Sequence, residues 1–417
     1  MKNERIKSDT TELLYETDGM ITEFEAAVYE AGEDPDTGKC YVILDRTAFF
    51  PEGGGQLSDT GVIITGDGNS IRVYDVQNVD GSVRHYIDGT ISADERITGK
   101  IDAGQRFSRM QNHGAEHLLC GLIHRRFGYE NVGFHMSEEG VTFDVDGPLT
   151  GEDIRDIERM ANEAVFKNVP VTVSFPTEEE AKRTEYRSKL DTFEDIRLVT
   201  IEGYDVCACC APHVAFTGQL GVIKILSHMP HRGGMRLFMI AGMDAYNDYV
   251  YLHDSNAEIM EILSAKRDRT AEFVRDFADR QILLKEENRI LKSELTSAVS
   301  ENVMEGIRGR GFTDHGPEVI WENRLDETGL RNLVNECTGQ YEGIVCAFSG
   351  NDNDGYRYIF AVCKNRAKTA ELRAFADDFN RSCKGRGGGS DIMVFGSTLG
   401  TSGEIKAYFN ERAGQKE

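Results

Sequence analysis

In the first ninety residues apolar side chains come in short runs broken by turn residues, the rhythm of a sheet with one buried face. Phe24–Tyr29, Cys40–Leu44, Val62–Thr65, Ile71–Val76 and Val83–Ile87 read as strands, with turns at 33–39, 66–69 and 80–82. Short strands at this spacing predict a small barrel or a twisted sheet. The period then changes. Residues 102–128 set Leu118, Leu119, Leu122 and Ile123 on one side of a helix. Residues 151–168 repeat the pattern with Ile154, Ile157, Met160, Ala161, Ala164 and Val165, up to a stop at Pro170. A strand at Val171–Phe175, a charged helix at 176–190, and strands at Ile196–Ile201, Gly221–Leu226 and Met235–Ala241 follow.

Residues 255–303 are charged and free of Gly and Pro, which predicts one long helix. Leu263, Phe277, Leu284 and Leu291 share one heptad position, and Val274, Asn288 and Leu295 share its partner. Arg267, Thr270 and Gln281 interrupt that seam. From about 307, strands at 317–322, 343–349 and 357–363 alternate with helices at 326–338 and 366–383, which predicts a separate α/β domain. Its tail, Cys383 to Gly396, reads as a glycine-rich loop rimmed by Lys384 and Arg386 and able to hold an anion on backbone N–H groups. No Lys-Ser/Thr pair follows the glycines, so it is not a P-loop.

Composition narrows the class. The 417 residues suit two to four domains, and 40% hydrophobic with 28% charged content is that of a water-soluble globular chain. No apolar run approaches a membrane span and the N-terminus lacks a signal-peptide core, so the expected location is cytoplasmic. The net charge of −24 argues against a general nucleic-acid binder. Basic clusters exist at Arg106/Arg109, Arg125/Arg126, Lys182/Arg183/Arg187/Lys189, His231/Arg232/Arg236 and Arg381/Lys384/Arg386. Most are expected as solvated faces, one or two as a patch for an RNA end.

Candidate chemistry centres on His113 and His117. Four apart on a helix, they offer two nitrogens on one face to one metal ion. The cluster Cys207-Ala-Cys209-Cys210-Ala-Pro-His213 supplies sulfur and a third imidazole, and its residues can complete a tetrahedral zinc site. Spacing leaves open which cysteine binds. Glu116 reads either as a general base for metal-bound water or as a solvated helix carboxylate. Gly53, Gly54 and Gly55 read as a tight β-turn or as backbone that approaches a ligand closely.

The run Leu44-Asp-Arg-Thr-Ala-Phe-Phe-Pro-Glu-Gly-Gly-Gly-Gln56, with Asp59-Thr-Gly61, resembles the N-terminal signature of the alanyl-tRNA editing proteins, shared with the editing region of alanyl-tRNA synthetase. Met110-Gln-Asn-His-Gly-Ala-Glu-His-Leu-Leu119 is similar to that family's His-x3-His motif. Cys209-Cys-Ala-Pro-His213-Val with Thr217-Gly-Gln-Leu-Gly221 is similar to its Cys-x3-His motif. Gly385-Arg-Gly-Gly-Gly389 resembles the DHH-associated domain that closes alanyl-tRNA synthetases and the long editing proteins. The resemblance covers nearly the whole chain.

It implies a free-standing, zinc-dependent deacylase that hydrolyses the ester of tRNA for alanine mischarged with serine or glycine. One Zn²⁺ per chain would sit on His113, His117, Cys209 and His213. Gly53, Gly54, Gly55 and Gln56 would line the pocket, and the Thr47 hydroxyl would test for the seryl side chain. Gly387, Gly388 and Gly389 would serve the tail's anion site. Thr47, Gln56 and Glu116 are the catalytic candidates, and whether the metal activates water or positions the ester stays open. This chain departs from the family's usual Cys-Gly-Gly-Thr-His at Cys210, Ala211 and Pro212, and Gly114 stands where a small hydroxyl residue is common. The expected fold is α+β: a β-barrel-like domain at 1–90, a zinc-containing editing core at 91–248, a helical, coiled-coil linker at 249–306 and a DHH-associated α/β domain at 307–417. The expected partners are tRNA and a second copy of the chain. Two rivals stand beside this reading, a zinc-containing module that holds tRNA without hydrolysis and a zinc hydrolase of a small ester or amide with Glu116 as base.

Overall fold

The computed structural model describes residues 11–137, 139–188, 193, 195–310, 317–341, 343–362 and 369–413. The chain divides into two compact units, Met1–Glu258 and Ile259–Glu417.

The first unit carries, in chain order, β1 (Glu12–Leu13), β2 (Glu23–Glu33), β3 (Cys40–Leu44), β4 (Arg46–Thr47), β5 (Gly61–Thr65), β6 (Ser70–Val79), β7 (Ser82–Ile87) and β8 (Arg96–Ile101). Six of these close into a barrel in the order β2-β3-β7-β6-β5-β8. Closure leaves no unpaired edge, and the alternating positions Val28, Val42, Leu44, Ile63, Val73, Val83 and Ile97 fill the interior. The strands expected from alternation are all present. Strand β8 escaped that reading because Arg96, Lys100 and two small residues dilute its apolar set.

Next come α1 (Ala103–Phe127), β9 (Asn131–Ser137), β10 (Gly140–Val145), α2 (Gly151–Lys167), β11 (Val171–Ser174), α3 (Glu178–Ala181), β12 (Leu198–Ile201), β13 (Asp205–Ala208), β14 (Ile223–His231) and β15 (Gly234–Ala241). A four-stranded sheet, β14-β15-β10-β9, packs against α1 and α2 through one apolar cluster that includes Leu118, Leu122, Phe143, Ile157 and Leu237. A three-stranded sheet, β11-β12-β13, delivers the cysteine cluster. The charged helix expected over 176–190 shrinks to the four residues of α3, and residues 189–190 lie outside the described ones. Beyond α3 the backbone of Arg187 pairs with β13, its N–H donating to Val206 O at 2.8 Å, and this extended pairing displaces the helix.

Helix α1 is held to the barrel by an ion pair with no exposure on either side chain. The Arg106 guanidinium donates to Asp59 through Nε, at 3.1 and 3.0 Å, and through Nη2. Its other donors go to Gly19 O and Ala48 O. Asp59 also accepts from Phe50 N at 2.6 Å. The Arg106/Arg109 pair is therefore not a solvated face or an RNA patch: Arg106 is buried and Arg109 donates to Ser58 O.

The unit boundary falls within α4 (Met243–Leu263), which is followed by α5 (Thr270–Arg310). Two helices thus replace the single one expected over 255–303, and Ser264 sits between them in the left-handed region at φ 50°. Neither Gly nor Pro marks that break. The second unit continues with β16 (Glu318–Trp321), α6 (Glu327–Gln340), β17 (Ile344–Asn351), β18 (Gly355–Val362), α7 (Thr369–Ser382), β19 (Gly385–Gly389), β20 (Met393–Thr398) and α8 (Ser402–Ala413). Its sheet runs β16-β17-β18-β20-β19, with only β16 and β17 parallel. One face packs on α6 and the end of α5, the other on α7 and α8. The glycine run expected as a loop is the edge strand β19, because Gly385–Gly389 pair antiparallel with β20. A Cβ at Gly387 would meet Tyr358 Oη at 2.4 Å, so that position is packed too closely for a side chain.

Replacing Asp59 by Ala leaves the Arg106 charge buried without a counter-ion. Such a loss costs about 3–5 kcal/mol. Chemical denaturation of the variant should show that fall, while Asp45→Ala, on the exposed side of the same segment, should cost far less.

Candidate metal centre

The deep face of α1 carries the histidine pair. Asp102 caps the helix, accepting from Gln105 N at 3.0 Å, and residues 109–123 are buried on every side. His113, His117, Cys209 and His213 bring one ligand atom each to within 4.8 Å of one another, and all four are buried. The three imidazole centroids stand 5.1, 5.0 and 4.8 Å apart. Cys209 Sγ lies 3.6 Å from His113 Nε2 and 3.3 Å from His213 Nε2. Three imidazoles and a thiol converging in a buried cluster suit a tetrahedral ion with nitrogen and sulfur ligands.

Geometry separates the cysteines. Cys209 joins the four-residue group, whereas Cys207, which lines the pocket, forms with His117 and Asp205 a second group that could hold a metal ion. Cys210 turns into the barrel-side core, and burial together with the neighbouring Cys209 pushes its thiol up to about 12. Burial opposes ionisation of Cys209 as well, but His113 and His213 outweigh it and hold that thiol well below its usual range. Burial pushes His213 down to about 3, so it stays a neutral ligand.

The two helix histidines are each oriented by a partner that their own sequence motif does not contain. His113 Nδ1 lies 2.7 Å from Gln56 Oε1, so Nδ1 carries the proton and Nε2 is left as the donor atom. His117 Nδ1 lies 3.3 Å from Asp205 Oδ2. Asp205 is itself gripped by Arg187, Nε to Oδ1 at 2.7 Å and Nη2 to Oδ2 at 2.8 Å. Burial opposes the Asp205 charge, yet Arg187 and His117 hold its carboxyl below the usual range. The approach of β13 to α1 needs Gly121, where a Cβ would meet Asp205 Cβ at 2.7 Å. Arg197, buried, clamps the cysteine turn through Nη1, donating to Cys209 O at 2.7 Å and Ala211 O at 2.9 Å.

A small pocket of about 30 Å³ opens beside this cluster, lined among others by Gly54, His113, Glu116, His117, Phe134 and Arg187. Gly54 and Gly55 take φ 60° and 88° in a two-residue turn closed by Gly53 and Gln56. The turn docks through Gly55 O, which accepts from Met136 N at 3.0 Å, and a Cβ on Gly55 would strike Phe134 Cδ1 at 2.5 Å. The glycine run is thus both a tight turn and a pocket wall. Gln56 supports His113 from behind, and its Nε2 is buried without a partner among the described residues.

Thr47 is placed elsewhere. His85 Nδ1 lies 3.1 Å from Val42 O, which makes Nε2 the acceptor for the Thr47 hydroxyl at 2.8 Å, and Phe49 N donates to the same hydroxyl at 3.1 Å. Burial pushes His85 down to about 4 and keeps it neutral. Thr47 therefore braces the barrel and is not among the residues lining this pocket. Glu116 is buried in the pocket wall and is not a solvated helix carboxylate. Gly387, Gly388 and Gly389 lie in the second unit. Sequence reading missed Phe134, Arg187 as part of the site, Arg197 and Asp205; the last stood only two positions before Cys207.

Fold and site together define an α+β protein with a closed barrel and a buried His/Cys cluster able to hold a metal ion. Residues 2–105 match the family described as tRNA synthetases class II (A), and residues 196–238 match the threonyl and alanyl tRNA synthetase second additional domain. The chain is 36% identical over 263 residues to the alanine–tRNA ligase of Ignicoccus hospitalis, covering 61% of this chain and 28% of the ligase. To that of Halobacterium salinarum it is 34% identical over 374 residues, 84% of this chain and 38% of the ligase. To that of Methanopyrus kandleri it is 28% identical over 401 residues, 93% of this chain and 42% of the ligase. The chain thus carries alanyl-tRNA synthetase-related domains and is a relative of archaeal alanine–tRNA ligases, spanning under half the length of each. Among the described residues no helix is long and apolar enough to cross a membrane.

If Cys209 is the sulfur ligand, Cys209→Ala should abolish stoichiometric zinc by elemental analysis of the purified protein. Cys207→Ala should retain it. Equal loss in both would assign the sulfur to either cysteine and overturn the assignment.

Proposed function

We propose that this chain hydrolyses the ester linking a wrong amino acid, serine or glycine, to the terminal adenosine of tRNA for alanine. The observation that carries the reading is the meeting of three sequence-distant motifs at one pocket. The Gly54 turn and the His113/His117 helix line it with Cys207 and Ala208, which lead into the Cys209–His213 turn that meets both histidines, in a chain related to alanine–tRNA ligases over most of its length.

The residues suit that chemistry. Held by His113, His117, Cys209 and His213, a Zn²⁺ ion would supply a Lewis acid beside the ester and its ribose. Gln56 and Asp205 fix the ring orientations of His113 and His117, so the ligand set needs no rearrangement when substrate arrives. Phe134 lies 4.8 Å from the His113 ring and gives the pocket an apolar wall that excludes water. A pocket built with polar groups for a seryl hydroxyl leaves them unpaired when alanine enters, which spares correctly charged tRNA. Four protein ligands favour a positioning role for the metal over one that depends on an open site.

Pairing with a second copy fits the helix seam. Val274, Phe277, Leu284, Leu291 and Leu295 are all exposed on α5, a row that an isolated chain leaves in water.

The enzymatic reading predicts that the protein releases serine from seryl-tRNA for alanine far faster than alanine from the correct product. Turnover at the uncatalysed rate, with zinc confirmed bound, would instead indicate a module that holds tRNA without hydrolysis. Leu284→Glu with Leu291→Glu should convert a dimer to a monomer in light scattering; an unchanged mass would rule out the seam as the interface.

A further inference from the structure

Glu116 is a buried pocket carboxylate that the metal cluster does not use. It is buried at 3% exposure on α1, directly before His117, and it lines the pocket together with both helix histidines. One oxygen is fully engaged. Oε1 accepts from Cys120 Sγ at 3.0 Å and from Asn131 Nδ2. The Asn131 amide is oriented by Gly133 N, which donates to its Oδ1 at 3.0 Å, so its N–H group must face Glu116. Burial and the neighbouring Glu116 raise the Cys120 thiol well above its usual range, which keeps it a donor. The other oxygen, Oε2, has no protein partner among the described residues.

The charge around Glu116 is unbalanced. Arg187, the pocket's guanidinium, spends its fork on Asp205. Glu130, also in the lining, is half-exposed and pairs with His124 at 2.9 Å, and it offers Glu116 no positive partner. A buried carboxylate with one oxygen braced and the other open toward a cavity is a receptor for a cation that also donates hydrogen bonds. An aminoacyl ester carries such a group, an α-ammonium two bonds from the carbonyl carbon. An ammonium on Glu116 sets the ester beside His113 and His117, within the same pocket.

We propose that Glu116 anchors the α-ammonium of the aminoacyl group through Oε2, so that the site accepts aminoacyl esters with a free amine and rejects those whose amine is acylated. This rests on the deacylase reading, whose failure the test keeps separate. Binding of a 3′-seryl-amide analogue of adenosine, which cannot be hydrolysed as an ester, is compared by calorimetry at pH 6.5 with that of its N-acetyl counterpart, using the zinc-loaded full chain. The wild-type protein should prefer the free amine by about 10- to 100-fold, the range for one charge-assisted hydrogen bond. Glu116→Gln should reduce that preference to about twofold while zinc content stays at the wild-type level. Wild-type protein that binds both analogues equally, or neither, overturns the proposal without any variant. A Glu116→Gln protein that keeps the preference also overturns it. In parallel, seryl-tRNA and N-acetyl-seryl-tRNA are assayed for hydrolysis. Hydrolysis of both at equal kcat/KM defeats the anchor and leaves the deacylase standing, whereas amine-selective binding with no hydrolysis keeps the anchor and defeats the deacylase. A kcat collapse on both tRNAs in Glu116→Gln, with KM unchanged, would mark Glu116 as a base and count against the anchor.

Discussion

The buried Arg106–Asp59 pair is the constraint on which the site depends. Two charges withdrawn from water must satisfy one another and every remaining donor, and this pair does so through Gly19 O, Ala48 O and Phe50 N. Because Arg106 lies near the start of α1 and Asp59 three residues beyond Gln56, closing the pair sets the helix against the glycine turn. The Gln56–His113 hydrogen bond forms in the register that results. Burial makes the pair intolerant of displacement: a shift of the helix would leave both a charge and several backbone carbonyls unpaired.

The metal cluster repeats this logic on a smaller scale. Its ligands come from a helix and a turn, and its supports from three further places: Gln56 after the glycine turn, Asp205 at the start of β13 and Arg197 just before β12. Arg187 adds another layer by fixing Asp205. A buried imidazole can present either nitrogen, and the hydrogen bond on the far nitrogen decides which one is offered. The pocket is therefore shaped by residues that touch no ligand, and it borrows its walls from the barrel loop, α1, β9 and the segment pairing with β13.

Much of this was legible in linear order. Alternation located five barrel strands, and helical periodicity placed α1 and α2 within a residue or two of their ends. The His-x3-His spacing marked His113 and His117 as a pair because it lies within one helix, while spacing left the cysteine open and the family resemblance implied Cys209 with His213. Failures share a cause. Glu116 was read against an ideal surface helix, but α1 is enclosed on all sides and even its polar face lines a cavity. The charged stretch after Thr177 scored as helix until Arg187 found a backbone partner on β13. The glycine run at 385–389 read as a loop, yet it pairs as a strand, and at Gly387 the approach of Tyr358 leaves no room for a side chain. Thr47 belongs to the same run as Gln56, but its hydroxyl faces His85, a residue thirty-eight positions away.

By itself the sequence determined what repeats locally: the strand and helix periods, the His-x3-His spacing and the kinship with alanine–tRNA ligases. These need only neighbours within a few residues, and the side-chain period of each element carries them. The tertiary structure alone decided which sulfur meets the imidazoles, which nitrogen each ring presents, that Arg106 is buried and that Glu116 faces a pocket. Those outcomes are set by desolvation and by hydrogen-bond partners distant along the chain. A residue's charge and reach are written in its type, but what surrounds it exists only once the chain has folded.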